Sequence, residues 1–294
     1  MSFPTLRWHG SVAGLLADAA PSLQRSHALE AWIESRPSFT GWCTVCEAPS
    51  EFTVNGGAML GVHVNLREGM VCPGCGINAR GRLMLLSLEE TFPDHAARIA
   101  LFEAFSPLSR LTRRRWPNLL QSEYFGDGLV AGSEHALRLA DGTQRIARHQ
   151  DLMALGYGDG ELDGLVHNDV LEHVPEVGVA LAEMFRVLRP GGRLLFTMPW
   201  FPWRPQTLVR GRRRADGSLQ ELEPPEFHGD GLREGGIYTY YNFGADIGEP
   251  IRQAGFVELE FGVCYSPTCG FLGNNYRYGP DGLMLPTVLR ARRP

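Results

Sequence analysis

Two CxxC pairs, Cys43-Thr44-Val45-Cys46 and Cys72-Pro73-Gly74-Cys75, stand twenty-five residues apart near the start of the chain. Each pair can fold into a knuckle that puts two thiolates on one side, and two knuckles complete a closed, tetrahedral, structural Zn²⁺ site. Gly76, directly after the second pair, permits the turn that aims backbone N–H groups at sulfur. Four unliganded thiols or a redox disulfide are the competing readings. Cys264 and Cys269 read as a buried thiol and a loop thiol. A second group of polar residues, Asn168-Asp169-Val170-Leu171-Glu172-His173-Val174-Pro175, follows an apolar run and reads as a loop at the carboxyl end of a strand. Open α/β sheets bind their ligands at that end. His173 and His228, the latter within Pro224-Pro225-Glu226-Phe227-His228-Gly229, titrate near neutral pH and can move a proton. The plainer reading is that each histidine shapes its loop, and that His167 packs beside its strand.

These groups need a frame. The first forty residues read as a helical lead-in, and 41–79 as a small module with apolar–polar alternation at Phe52, Val54, Met59, Val62 and Val64, hence short strands. A helix is expected over 80–92, stopped by Pro93. From there strand and helix patterns alternate: strands at 98–103, 119–123, 145–151 and 162–167, a helix at 177–188, a Pro190-Gly191-Gly192 break and a strand at 193–198. A helix at 247–254 and a penultimate strand at 256–263 follow. This order predicts an α/β fold with a doubly wound, mainly parallel sheet. The segment 127–143 reads as irregular, and 290–294 as a frayed basic tail. Domains are expected at 1–92, helical lead-in and four-cysteine module, and 93–294, α/β domain, with a lid insertion at about 200–241 whose aromatic content argues for order.

The stretch DGLVHNDVLEHVPEVGVALAEMFRVLRPGGRLLFTMP, 163–199, resembles the class I S-adenosylmethionine-dependent methyltransferases, especially the branch with a VLEHV…RVLRPGGRL signature. The resemblance covers roughly 98–263, with its specific motifs concentrated in 151–199. It implies a Rossmann-like methyltransferase domain behind a zinc ribbon, with S-adenosylmethionine and structural zinc as cofactors. It carries Glu103 and Phe105 to the turn after the first strand, Glu123 to the ribose-binding carboxylate, and Asp151 with Leu152 to the adenine site. Asn168 lies on the rim, and Asp163 opens the fourth strand. One departure is clear: the family's Gly-x-Gly turn is replaced by Glu103-Ala104-Phe105-Ser106-Pro107.

Net charge is −5 and no lysine occurs among the 28 basic residues, so Schiff-base chemistry is excluded and a nucleic-acid partner is disfavoured. No apolar run reaches the ~20 residues that span a bilayer, the N-terminus lacks a signal-peptide core, and the cysteine usage suits a reducing, cytoplasmic setting. The expected reaction is O-methylation of a small molecule or a saccharide- or lipid-linked intermediate. One rival is an RNA methyltransferase gripping substrate with the ribbon and the arginines at 110–115 and 210–214. The other is a zinc-binding scaffold that no longer binds cofactor. Trp200, Phe201, Trp203, Phe227, Tyr238, Tyr240 and Tyr241 either wall a substrate pocket or pack the lid. The oligomeric state is left open.

Overall fold

The computed structural model describes residues 4–54, 59–60, 63–138, 142–230, 233–273 and 284–294. They form two compact units that are discontinuous in sequence: Met1–Pro93 with Trp200–Arg204 and Glu260–Arg290, and Asp94–Pro199 with Pro205–Leu259 and Ala291–Pro294. No helix among the described residues is long and apolar enough to cross a membrane.

The first unit opens with strand β1 (Arg7–His9) and helix α1 (Val12–Glu34), whose N-cap Ser11 accepts from the Gly14 N–H. Strands β2 (Ser38–Cys43) and β3 (Ala48–Thr53) form an antiparallel hairpin, and the first CxxC lies across its turn. Short strands β4 (Met59–Leu60) and β5 (His63–Val64) and helix α2 (Leu66–Gly69) follow. Thr53 and Val71 exchange backbone hydrogen bonds of 2.9 and 3.0 Å, which brings the second CxxC against the first hairpin. Helix α3 (Ala79–Thr91), capped by Asn78, occupies the predicted position. Phe52, Val54 and Val64 are buried with Ile33, Leu66 and Met70 in the core of this unit. Val62 and the Met59 side chain lie outside the described residues.

The second unit holds β6 (Ile99–Leu101), α4 (Pro107–Arg115), β7 (Leu120–Glu123), β8 (Glu134–Arg138), β9 (Gln144–His149), β10 (Leu162–Asn168), α5 (Val177–Val187) and β11 (Leu188–Thr197). Next come β12 (Leu208–Val209), β13 (Gly211–Arg213), β14 (Leu219–Glu221), β15 (Phe227–Asp230), β16 (Arg233–Tyr238) and β17 (Tyr241–Asn242). Helix α6 (Gly248–Gln253) and strands β18 (Val257–Val263) and β19 (Thr287–Arg292) complete the chain, the two strands each passing from one unit to the other. The sheet order is β18-β19-β11-β10-β6-β7-β9-β8, and β10–β11, β10–β6, β6–β7 and β7–β9 are parallel. In the first unit β1 pairs antiparallel with the 261–263 end of β18. This is the mainly parallel Rossmann-like sheet expected from the strand–helix alternation.

The middle strands are apolar because a parallel sheet is covered on both faces. Leu165, Val166, Leu194, Leu195 and Phe196 are fully buried. Helix α5 buries Val177, Ala180, Leu181, Met184 and Val187, the spacing of one helix face. At the Pro190-Gly191-Gly192 break Gly191 has φ +79°, a left-handed conformation that only glycine adopts without strain.

Two expectations are corrected. The segment 127–143 is not wholly irregular: β8 adds antiparallel to β9 at the sheet edge, alternating exposed and half-buried residues. The C-terminus is not frayed, because Arg293 donates to the carbonyls of Phe185 and Arg186 and exchanges backbone bonds with Gly191 and Gly192. Arg290, in the first unit, stacks on Trp8 and pairs with Glu260. The described residues of 205–242 contain three two-stranded antiparallel ribbons, β12–β17, β13–β14 and β15–β16.

Asp163 locks the lower edge of the sheet by accepting the Arg98 N–H at 2.7 Å and pairing with Arg189. Burial alone would raise its pKa; the Arg98 N–H and the Arg189 guanidinium outweigh it and hold the carboxyl below the usual range. Its contribution is therefore present above about pH 4 and is lost as pH falls through the depressed value. Asp163→Asn is expected to be less stable than the parent at pH 7, with the gap narrowing below pH 4, as read by urea titration at the two pH values.

Candidate functional site

Parallel strands put all their carboxyl ends on one edge, and the cofactor-site candidates gather there in strand order. Asn168 is the last residue of β10, Glu103 follows β6 by two residues, Glu123 ends β7, and Asp151 follows β9 by two. They are linked. Asn168 Nδ2 donates to Glu103 Oε2 at 2.9 Å, and Glu123 Oε1 accepts the Ala104 N–H at 2.8 Å. Asn168 is also held by Thr197, whose hydroxyl donates to its Oδ1 at 3.1 Å. Asp151 caps its own turn through the Met153 N–H at 2.8 Å, with Leu152 buried beside it. Phe105 is half-buried.

The turn after β6 takes its conformation without glycine. Among described residues other than glycine, positive φ occurs at Glu47, Asp169 and Glu258, not at Ala104 or Phe105. Ser106 ends the turn as the N-cap of α4, accepting the Ser109 N–H at 3.0 Å, and Pro107 takes the first helical turn, where its absent N–H costs nothing. This turn therefore needs no glycine for its own conformation. Arg113, Arg114 and Arg115 fall in the last turn of α4, where cations complement the helix dipole.

The two candidate histidines come together although fifty-five residues separate them. Their rings stand 5.1 Å apart at 87°. The segment 238–241 is strapped to the loop after β10 by three bonds. The Tyr240 N–H donates to the Glu172 carbonyl at 2.8 Å, Tyr241 Oη to the Pro175 carbonyl at 2.7 Å, and His173 Nδ1 to the Tyr238 carbonyl at 2.8 Å. The β15–β16 ribbon then delivers His228. Between the rings lies Glu172, fully buried, whose Oε1 is 3.7 Å from both His173 Nε2 and His228 Nδ1. Glu226, which the sequence reading did not single out, receives His228 Nε2 at 3.0 Å and Arg210 Nη2 at 2.6 Å. Its place two residues before His228 was the available signal. Burial pulls the His228 pKa down, but Glu172 and Glu226 outweigh it and raise it to about 9. Arg210 also donates to Asn242 Oδ1 and the Pro224 carbonyl, and Arg213 pairs with Asp127, so two of the basic residues of 210–214 are committed internally.

His167 is fully buried and stacked on Phe196 at 4.9 Å, its pKa pushed down to about 3 by burial, so it is core. Trp200 is buried and stacked on Phe261 in the first unit, which makes it packing rather than an open pocket wall.

In the first unit the four cysteine sulfurs, Cys43, Cys46, Cys72 and Cys75, all lie within 4.8 Å of one another, with Cys43–Cys75 at 3.8 Å and Cys46–Cys72 at 3.7 Å. Thiolates about 2.3 Å from a tetrahedral Zn²⁺ are about 3.8 Å apart, so the donor set fits that ion. The Cys75 thiol, together with the backbone N–H groups of Cys46 and Val45, lowers the Cys43 pKa, and Gly76 at φ +74° closes the second knuckle with its N–H on the Cys72 carbonyl at 2.8 Å. Arg82, fully buried, donates to the carbonyls of Ile77, Met70 and Gly270 at 2.7 to 3.0 Å and stacks on Phe52. Burial lowers its pKa to about 10 against the opposing pull of the four cysteines. It remains a cation at neutral pH and opposes the negative charge of a thiolate cluster.

Residues 129–196 match the sequence family described as "Methyltransferase domain". That segment contains the VLEHV and RVLRPGGRL motifs. No curated protein matches the chain. Among solved structures, it is similar to an S-adenosylmethionine-dependent methyltransferase from Mesorhizobium loti (14% identity, 72% of this chain and 98% of that one, TM-score 0.42). A second is Burkholderia thailandensis 1,6-didemethyltoxoflavin-N1-methyltransferase, solved with 1,6-didemethyltoxoflavin and S-adenosylhomocysteine (15% identity, 73% and 78% coverage, TM-score 0.42). A third is the [4+2]-cyclase SpnF (18% identity, 96% and 95% coverage, TM-score 0.42).

Glu226 is the hinge of the polar cluster, since it holds both His228 and Arg210. Glu226→Gln is expected to cost about 1–3 kcal/mol of stability in chemical denaturation, because it removes one charge-assisted partner from each cation.

Proposed function

We propose that the chain transfers a methyl group from S-adenosylmethionine to an oxygen of a small molecule or of a saccharide- or lipid-linked intermediate. The observation that carries this is the row Asn168–Glu103–Glu123–Asp151 along the carboxyl edge of β10, β6, β7 and β9. Acceptor groups at the topological switch of an open parallel sheet suit a nucleoside cofactor. Glu123 would take the ribose hydroxyls and exchange the Ala104 N–H for them. Asp151 and Leu152 would meet the adenine, while Glu103, Phe105 and Asn168 would line the amino-acid end. S-adenosylmethionine supplies a methyl group on a sulfonium, and transfer is an in-line displacement that depends mainly on positioning. An oxygen acceptor also has a proton to lose; His173 is placed to receive it, and His228, held as a cation by Glu172 and Glu226, is placed to direct it.

The four-cysteine cluster fits a closed zinc site of structural role, and the free cysteines suit a reducing, cytoplasmic setting. The readings as an RNA enzyme or as an inert scaffold find less support. Arg113, Arg114 and Arg115 lie in the last turn of α4, where they complement the helix dipole, Arg210 and Arg213 are paired, and the turn after β6 is unstrained without glycine.

Titration calorimetry with S-adenosylhomocysteine tests the cofactor site: micromolar-range binding is expected, weakened at least tenfold by Glu123→Ala and by Asp151→Ala. Absence of binding to the parent protein would sink the enzyme reading. Salt-sensitive RNA binding lost on replacing Arg113, Arg114 and Arg115 would favour the RNA reading instead.

A further inference from the structure

The group Glu172, His173 and His228 offers one carboxylate oxygen and two ring nitrogens, all within 4.8 Å of one another. The chemistry of each partner fixes which atom is offered. A carbonyl only accepts, so His173 Nδ1 carries the proton toward Tyr238 O, and Nε2 turns its lone pair toward Glu172. Glu226 accepts from His228 Nε2, and Nδ1 is left facing the same Glu172 oxygen. Both oxygens of Glu172 are buried without a hydrogen bond among the described residues, and 3.7 Å is too long for one from either ring. A buried carboxylate in this position calls for a compensating cation, either the proton on His228 Nδ1 or a metal ion that displaces it.

We propose that Glu172, His173 and His228 bind a divalent transition-metal ion, at a site separate from the cysteine cluster. Two donors 3.7 Å apart, each about 2.1 Å from an ion, subtend roughly 120°, within the range of three- and four-coordinate zinc. The outer contacts are those a metal-binding imidazole uses. His228 backs onto the Glu226 carboxylate, itself held by Arg210 and Asn242, and His173 backs onto a main-chain carbonyl. Two imidazoles and one carboxylate favour Zn²⁺, Fe²⁺ or Co²⁺ over Mg²⁺ or Ca²⁺. Three protein ligands leave a coordination position for an outside oxygen donor, and the His228 side chain, 29% exposed, leaves the ion reachable. Resting on the methyl-transfer reading above, that oxygen belongs to the acceptor hydroxyl, whose acidity the ion would raise.

Elemental analysis of protein purified without chelators, followed by reconstitution with Co²⁺, tests this. The parent chain is expected to hold one metal equivalent more than Glu172→Gln and than the double variant His173→Ala/His228→Ala. The lost cobalt signal should consist of ligand-field bands alone, with the thiolate charge-transfer absorption of the cysteine cluster unchanged. Retained S-adenosylhomocysteine binding in the variants would show that the loss is not unfolding, and His228→Asn, expected to weaken Co²⁺ binding at least tenfold, guards against a misfolded double variant. Equal metal content in parent and folded variants would overturn the proposal. Failure of S-adenosylhomocysteine to bind the parent would sink the methyl-transfer reading and leave the metal count to stand or fall separately.

Discussion

The parallel pairing of β6, β7, β9, β10 and β11 is the constraint from which the functional geometry follows. Parallel neighbours point the same way, so every strand ends on the same edge, and whatever follows each strand is delivered there. The apolar interiors of β10 and β11 pay for this arrangement by burial, and the polar residues at their ends, Asn168 and Thr197, are buried as a hydrogen-bonded pair. Asn168, Glu103, Glu123 and Asp151 become neighbours through that rule, although forty or more residues separate the first from the next two in sequence.

Buried charge sets the second level of organisation. The Glu172 carboxylate is buried in the loop after β10 without a hydrogen bond among the described residues, and the β15–β16 ribbon brings His228 to it, with Glu226 and Arg210 as the next layer. In the other unit Arg82 is held by three carbonyls and an aromatic face near four cysteines. Both arrangements remove an ion from water, which is tolerable only where opposite charge or donors surround it. They are therefore informative about ligands that carry charge.

Much of the frame was legible from local pattern. The strands of 98–103, 119–123, 145–151 and 162–167 and the helix of 177–188 all appear within a few residues of their expected places, because burial on two faces or one writes a periodicity into the chain. Strand β8 escaped notice since an edge strand with one exposed face carries little apolar signal. The basic tail was misjudged for a related reason: arginines read as solvated, yet Arg293 spends its guanidinium on carbonyls near the C-terminal end of α5. Only a partner distant in sequence reveals that use.

The amino-acid sequence alone determined the α/β order, the methyltransferase-like motif block and the two CxxC knuckles. Each of these is a matter of short spacing: turn residues, helix faces, two thiols on one loop. The tertiary structure decided what spacing cannot express. It showed that the turn of 103–107 sits at ordinary φ without glycine, that two of the arginines in 210–214 are already paired, and that Glu172, His173, Glu226 and His228 form one cluster. The reason is physical: a charged group's role depends on which opposite charge or donor meets it in low dielectric, and the fold chooses that partner from across the chain.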